Sequence, residues 1–328
     1  MRELVANFPQ QLEEAYQIGQ STTLNITPRK FDNVIICGLG GSGIGGKIFS
    51  DYLRNQLSIP VIVNNEYDIP AFVSENTLAI VASYSGNTEE TLSSINYLFE
   101  AKATIACITS GGEVKAIAES KNLPKIEIPG GMPPRACLGY SLVQFFFLFH
   151  AYGLITDQAL EEIKNCASYL KQNTASIEKE ALKVANQIGT KIPVIYCTKR
   201  YEGVAIRFRQ QINENSKGLA WHHIIPEMNH NELVGWTSKN EDLVNVMFHD
   251  DEDLERNKVR MEFTKNVTAP FVSSQIDIHT QGSNLLEKFM YLIHLGDWVS
   301  VQIAEQKNID PVEVNIITQL KNQLSSFE

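Results

Sequence analysis

Positive charge is scarce in this sequence: 28 Lys and Arg stand against 38 Asp and Glu, a net charge of -10. Such an acidic chain is poorly suited to nucleic acid or an anionic membrane surface as its main partner. Long apolar runs are missing as well. The most apolar stretch, Leu138 to Ile155, is interrupted by Ser141, Gln144, His150, Tyr152 and Gly153, so it predicts a buried helix and not a membrane span. No apolar core follows Met1-Arg2-Glu3, and no secretory leader is visible there. The cysteines, Cys37, Cys107, Cys137, Cys166 and Cys197, are odd in number and contain no C-x-x-C pair. That pattern argues against a disulfide framework and predicts reduced, mostly buried thiols in a cytoplasmic protein. Low-complexity tracts and short-period repeats are absent.

What is present is an α/β rhythm. The 328 residues, 43% of them hydrophobic, suffice for about two domains. Short, nearly continuous apolar runs alternate with helical patterns, as in strands buried on both faces of a parallel sheet. In the first half these predict strands at 34–37, 61–63, 78–82, 104–108 and 125–128. A long buried helix from Arg135 through His150 closes this half. Thr156-Asp157 offers a helix start, and a charged, periodic helix is predicted to about Gln187. Further strands are predicted at 193–198, 243–248 and 270–274, with helices at about 284–300 and 311–323. Two similar halves, 1–155 and 156–328, are the economical division.

Between the first predicted strand and its helix stands Gly38-x-Gly40-x-x-Gly43, the spacing of a dinucleotide-binding turn. Glu66, past the second strand, would suit the ribose of such a cofactor. A second loop speaks against that reading. After the third strand, Ser83, Ser85 and Thr88 surround Gly86, giving hydroxyls at i, i+2 and i+5 across a strand-to-helix turn. With the N–H groups of the helix end they form a cup for a terminal phosphate monoester. A dinucleotide site has no use for it. Helix capping is the plainer alternative, since Ser and Thr favour such positions. Both loops, however, would face one crevice at the strand C-terminal ends.

The stretches "GLGGSGIGG" and "SYSGNTEET" resemble the sugar isomerase (SIS) superfamily, whose S-x-S-G-x-T loop grips phosphosugars. "PPRACLGYS", "NENSKGLAWHHIIPEMNHNELVGW" and "DPVEVNIITQLK" narrow the resemblance to the bifunctional phosphoglucose/phosphomannose isomerase family. It extends over nearly the whole chain. The resemblance implies two SIS domains, each a five-stranded parallel sheet flanked by helices, in a homodimer acting on hexose 6-phosphates. Gly41, Ser42, Ser83, Ser85 and Thr88 would hold the phosphate. Aldose–ketose isomerisation needs a carboxylate base, a ring-opening acid/base and positive charge near the enediolate oxygens. The matching positions are Glu214 as base, His230 and Lys321 for ring opening, and Arg135 for the enediolate. In such dimers the histidine can come from the neighbouring subunit.

Read without the family, Glu214 is a helix-surface carboxylate with Arg207 and Gln211 on its face, at i, i+4 and i+7 spacing. His230 is then a loop histidine, Lys321 a solvated helix charge, and Arg135 a cap or an interdomain ion pair. A zinc site at His222, His223, Glu227 and His230 is a rival, since some other mannose-phosphate isomerases use zinc. No H-E-x-x-H or C-x-x-C supports it, and Pro226 interrupts any helical face. No metal and no cofactor are therefore expected, and activity is expected to survive exhaustive EDTA treatment. Loss on chelation with recovery on zinc would overturn that. The functional alternative is a non-catalytic SIS-type sensor of sugar phosphates. Such proteins usually attach one SIS domain to a DNA-binding module, and no basic helix-turn-helix arm is seen here.

Overall fold

The computed structural model describes residues 1–27 and 29–326. In chain order the elements are α1 (Arg2–Ala6), α2 (Phe8–Ser21), β1 (Asn33–Cys37), α3 (Gly40–Leu53), β2 (Val61–Asn64), β3 (Thr77–Ser83), α4 (Glu89–Glu100), β4 (Thr104–Thr109) and α5 (Gly112–Ser120). After β5 (Lys125–Glu127) come α6 (Leu138–Ala151), α7 (Asp157–Ile188), β6 (Ile192–Thr198), α8 (Glu202–Ser216) and β7 (Trp221–Ile225). The chain continues through β8 (Asn240–His249), α9 (Glu255–Thr268), β9 (Val272–His279), α10 (Leu285–Gln306) and α11 (Asn315–Leu324).

The strands form two sheets, ordered β2-β1-β3-β4-β5 and β7-β6-β8-β9, and every pairing is parallel. Parallel strands need helical crossovers, which cover both faces, so β1 and β3 are buried along their whole length. The second sheet has four strands where the family resemblance implied five: β9 leads within a few residues into α10. The strand β7, unforeseen in the sequence, forms one edge of it, and β9 runs on to His279 beyond the predicted end.

Helix α6 is buried over nearly its full length, and α10 likewise. Phe49 on α3 stacks among Phe145, Phe146 and Phe149 of α6. Together these helices make one continuous core between the two sheets. All five cysteines are buried and unpaired. Among the described residues no helix is long and apolar enough to cross a membrane.

Helix α8 ties the halves together. Its first turn gives the Gly203 N–H to Asp51 on α3 at 2.7 Å. Farther along, Arg207 pairs with Asp297 of α10 at 2.6 Å, and Gln211 donates to the same carboxylate at 2.8 Å. Burial pushes the Asp297 carboxyl up, with Arg207 and Gln211 acting the other way. These fixed contacts set the rotation of α8 and aim its last turn at the first sheet.

Candidate active site

In the first sheet the strand order reverses between β1 and β3, so the loops after them diverge and leave a crevice. Both glycine- and hydroxyl-rich loops stand there. Helix α3 starts at Gly40, only three residues after β1 ends, so its free N–H groups face the crevice. Gly41 lies close under the loop before α6: a Cβ there would come within 2.8 Å of the Pro134 carbonyl oxygen. Gly86 has φ +71, and a Cβ on it would overlap the Gly111 carbonyl. Only glycine fits that approach.

Each hydroxyl is held by a hydrogen bond. The Tyr84 N–H donates to Ser42 Oγ at 3.2 Å, linking the two loops. Ser83 Oγ and Thr88 Oγ1 are 3.0 Å apart, and the Gly86 N–H donates to Ser83 Oγ at 3.1 Å. The Asn87 N–H donates to Ser85 Oγ at 3.2 Å. Thr88 occupies the N-cap of α4, yet its side chain makes no cap bond. Plain capping therefore does not account for it. A hydroxyl that accepts from a backbone N–H still has its proton to give, so the cup retains donors for an anion. Tyr84 adds a support that sequence reasoning missed: its hydroxyl accepts from the Met132 N–H at 3.1 Å.

Arg135 stands in a 3₁₀ turn (Pro134–Ala136) beside this crevice, with its side chain 7% exposed. Its Nε donates to Asn215 Oδ1 at 2.8 Å, and Nη2 to the carbonyls of Pro311 at 2.6 Å and Val312 at 3.2 Å. The remaining Nη1 lies 3.4 Å from Glu214 Oε2. Burial lowers the pKa of the guanidinium, while Glu214 and Asp310 act the other way. Glu214 thus pairs with Arg135 and not with Arg207, which is taken by Asp297. Its own side chain is 32% exposed, so a ligand can reach it. Asn215 completes the frame by donating to Ser300 Oγ of α10 at 2.9 Å.

His230 is not brought here within one chain, and among the described residues Lys321 makes no bond to the site. Glu214 ends α8 at the N-terminal edge of the second sheet. His230 follows β7, which runs parallel to β6, so it sits at the opposite edge. The five residues of β7 alone span about 16 Å. His230 is exposed, in a 3₁₀ turn (Glu227–His230) held to the sheet by its neighbours. Asn229 donates to Thr264 at 2.8 Å, and Glu232 accepts from Tyr196 Oη at 2.5 Å and pairs with His223. Lys321 is exposed on α11 and, among the described residues, its side chain has no hydrogen bond or ion pair. The root of α11, however, is clamped at the site through residues 311–313.

The residues of the zinc rival are dispersed in their bonding. Burial, then Arg209, pushes His222 down to about 4, and His223 pairs with Glu232. Among the described residues no group of three His, Cys, Asp or Glu is placed to hold a metal ion. The second sheet also reverses its strand order, between β6 and β8, and a protein carboxylate follows β8 there. Asp250 there accepts from Tyr201 at 2.5 Å and from Lys288 at 2.8 Å.

Comparison with known proteins agrees with this architecture. Residues 29–162 match the SIS domain, and residues 177–324 match the bacterial phospho-glucose isomerase C-terminal SIS domain. The C-terminal domain of glucosamine-fructose-6-phosphate aminotransferase from Francisella tularensis superposes with a TM-score of 0.77 at 16% identity, covering 95% of this chain and 98% of that one, which establishes the fold. A bifunctional phosphoglucose/phosphomannose isomerase from Aquifex aeolicus is 37% identical over 95% of this chain and 99% of its own. Another of that name, from Caldicellulosiruptor bescii, is 40% identical over the full length of both chains. With such likeness along its whole length, the chain belongs to the bifunctional phosphoglucose/phosphomannose isomerase family.

Proposed function

We propose that the chain is an aldose–ketose isomerase that interconverts glucose 6-phosphate and mannose 6-phosphate with fructose 6-phosphate through a cis-enediolate. The observation that carries this reading is the Glu214 carboxylate facing Arg135 Nη1 at 3.4 Å beside the hydroxyl cup. The cup holds the phosphate through Gly41, Ser42, Ser83, Ser85 and Thr88, which leaves the C1–C2 end of an opened sugar towards Glu214. The carboxylate takes the C2 proton and the electron pair forms the enediolate; the hydroxyl proton passes from O2 to O1, and the carboxylic acid, open to exchange with solvent, delivers a proton to C1. Arg135 Nη1 stabilises the oxygen on which charge develops. His230 and Lys321 exchange the hydroxyl protons of ring opening; Lys321 lies within two turns of the start of α11, which follows directly on the clamped residues 311–313.

The active species is a cytoplasmic homodimer in which His230 serves the neighbouring subunit. Its position at the far edge of the second sheet supports this, as does the apolar surface beside it. Val234 is 85% exposed, and Val259 and Phe263 on α9 are also exposed. A patch of that kind calls for a partner surface. The buried free thiols fit a reducing compartment.

Turnover of purified protein with each aldose phosphate, coupled to fructose 6-phosphate detection, tests the reading. Turnover of neither sugar would leave only a binding protein. Ser85→Ala is expected to raise KM for fructose 6-phosphate about tenfold or more, since a donor to a charged acceptor is worth about 1.5–3 kcal/mol. An unchanged KM would return the loop to helix capping.

A further inference from the structure

Helix α8 ends on a lysine in a conformation that suits glycine. Lys217 is the C-cap, with φ 50 and ψ 35, in the left-handed region. Glycine is the usual residue at such helix ends, because a Cβ crowds the backbone there. A lysine held in this geometry is held by its side chain. Its ammonium turns back to donate to the carbonyl oxygen of Glu214 at 2.6 Å and to that of Glu313 at 2.7 Å. Arg135 binds the carbonyls of Pro311 and Val312 from the other side. Three consecutive carbonyls are thus gripped by two cations, and both cations also hold Glu214. Burial, then Arg135, lowers the Lys217 pKa, while Glu313, Asp310 and Glu214 act the other way.

Beyond this grip α11 is on its own. Among the described residues, no side chain of α11 hydrogen-bonds to another element, and Ile316 is 82% exposed. The clamp at 311–313 is where the segment that carries Lys321 is tied to the active site.

We propose that Lys217 is a positioning residue, a latch that couples the catalytic end of α8 to the root of α11. This rests on Glu214 being the base. Rotating the last turn of α8 moves the Glu214 carboxylate, and releasing Glu313 frees the segment leading to Lys321. The ammonium, by bonding both carbonyls, fixes the two together. Misplacing a reacting group by about 1 Å is enough to cost on the order of 10²-fold in rate, so a loosened latch acts on kcat.

Lys217→Gly separates the role from simple stability, because it removes the ammonium while relieving the left-handed backbone. It is expected to keep or raise the melting temperature and to lower kcat on both aldose phosphates about tenfold, with KM for fructose 6-phosphate within about twofold. Amide exchange should quicken across 310–324 and at the last turn of α8, and stay unchanged in the 83–88 loop. Lys217→Arg, whose guanidinium also bridges two carbonyls, should recover most of the rate. A kcat within about twofold of wild type in the glycine variant would overturn the latch. So would unchanged exchange across 310–324, or a rise in KM at constant kcat, which would make Lys217 a substrate ligand. Glu214→Gln run alongside keeps the two readings apart: normal turnover there refutes the base, while the exchange data still judge the latch.

Discussion

Glu214→Gln is expected to lower kcat on glucose 6-phosphate and mannose 6-phosphate alike, by about 10²–10⁴, the usual worth of a general base. Glutamine keeps the length and planarity of the side chain, and its amide oxygen still accepts from Arg135. The rest of the Arg135 frame, to Asn215, Pro311 and Val312, does not involve the carboxylate. Fold and phosphate affinity should therefore persist, and KM should change little. What disappears is the capacity to take a proton from C2. The two aldoses differ only in configuration at that carbon, and rotation about C2–C3 of the open chain presents either hydrogen to one base. Both activities must then fall together. Exchange of the C2 hydrogen with solvent deuterium should vanish in parallel, which distinguishes lost proton transfer from slow product release. Near-normal turnover of either sugar would reduce Glu214 to a surface charge.

The first sheet was readable in advance because its strands are buried on both faces and therefore nearly all apolar. Its five predicted strands are all present, each within a residue or two of its expected ends. The second sheet was harder, and its two edge strands were the obstacle. In β7, "WHHII", exposed and half-buried residues alternate around two histidines, so it carries no continuous apolar run. The later half of β9, "QIDIH", alternates for the same reason. The start of α11 shows another limit. The sequence favours a helix from Pro311, yet it begins at Asn315. The carbonyls of 311–313 are bonded to Arg135 and Lys217, partners about a hundred or more residues away, and no local pattern announces that.

The site divides along the same line. The Ser83, Ser85 and Thr88 side of the hydroxyl cup was legible because it is local, lying within six residues and one turn. The family pattern named Arg135 and Glu214 separately, but their pairing was not legible, since spacing along α8 pointed to Arg207 as the glutamate's partner. Arg207 is instead committed to Asp297, a pairing between α8 and α10 that arises only on folding. Lys217 had a signal that went unused: it stands three residues after Glu214 in the same "NENSK" block.

Mixing two inactive variants should restore activity. His230→Asn removes the proposed ring-opening histidine and Glu214→Gln the base, so each homodimer alone has two broken sites. If His230 serves the neighbouring subunit, a mixed dimer pairs the intact Glu214 of one protomer with the intact His230 of the other. Its second site carries both lesions. Subunits unfolded and refolded together at equal concentration should form mixed dimers about half of the time, each with one working site of two. Recovered activity should approach about a quarter of wild type, from homodimers that have nearly none. The expectation follows from topology: β7 carries the chain away from Glu214 to the opposite edge of a parallel sheet, and no side chain spans about 16 Å. If His230 acted in its own chain, each protomer would hold a single defective site, and mixing would recover nothing. Activity that stays at the level of the separate variants, with mixed dimers demonstrated by mass, would sink the shared site. A monomer at assay concentrations would do the same.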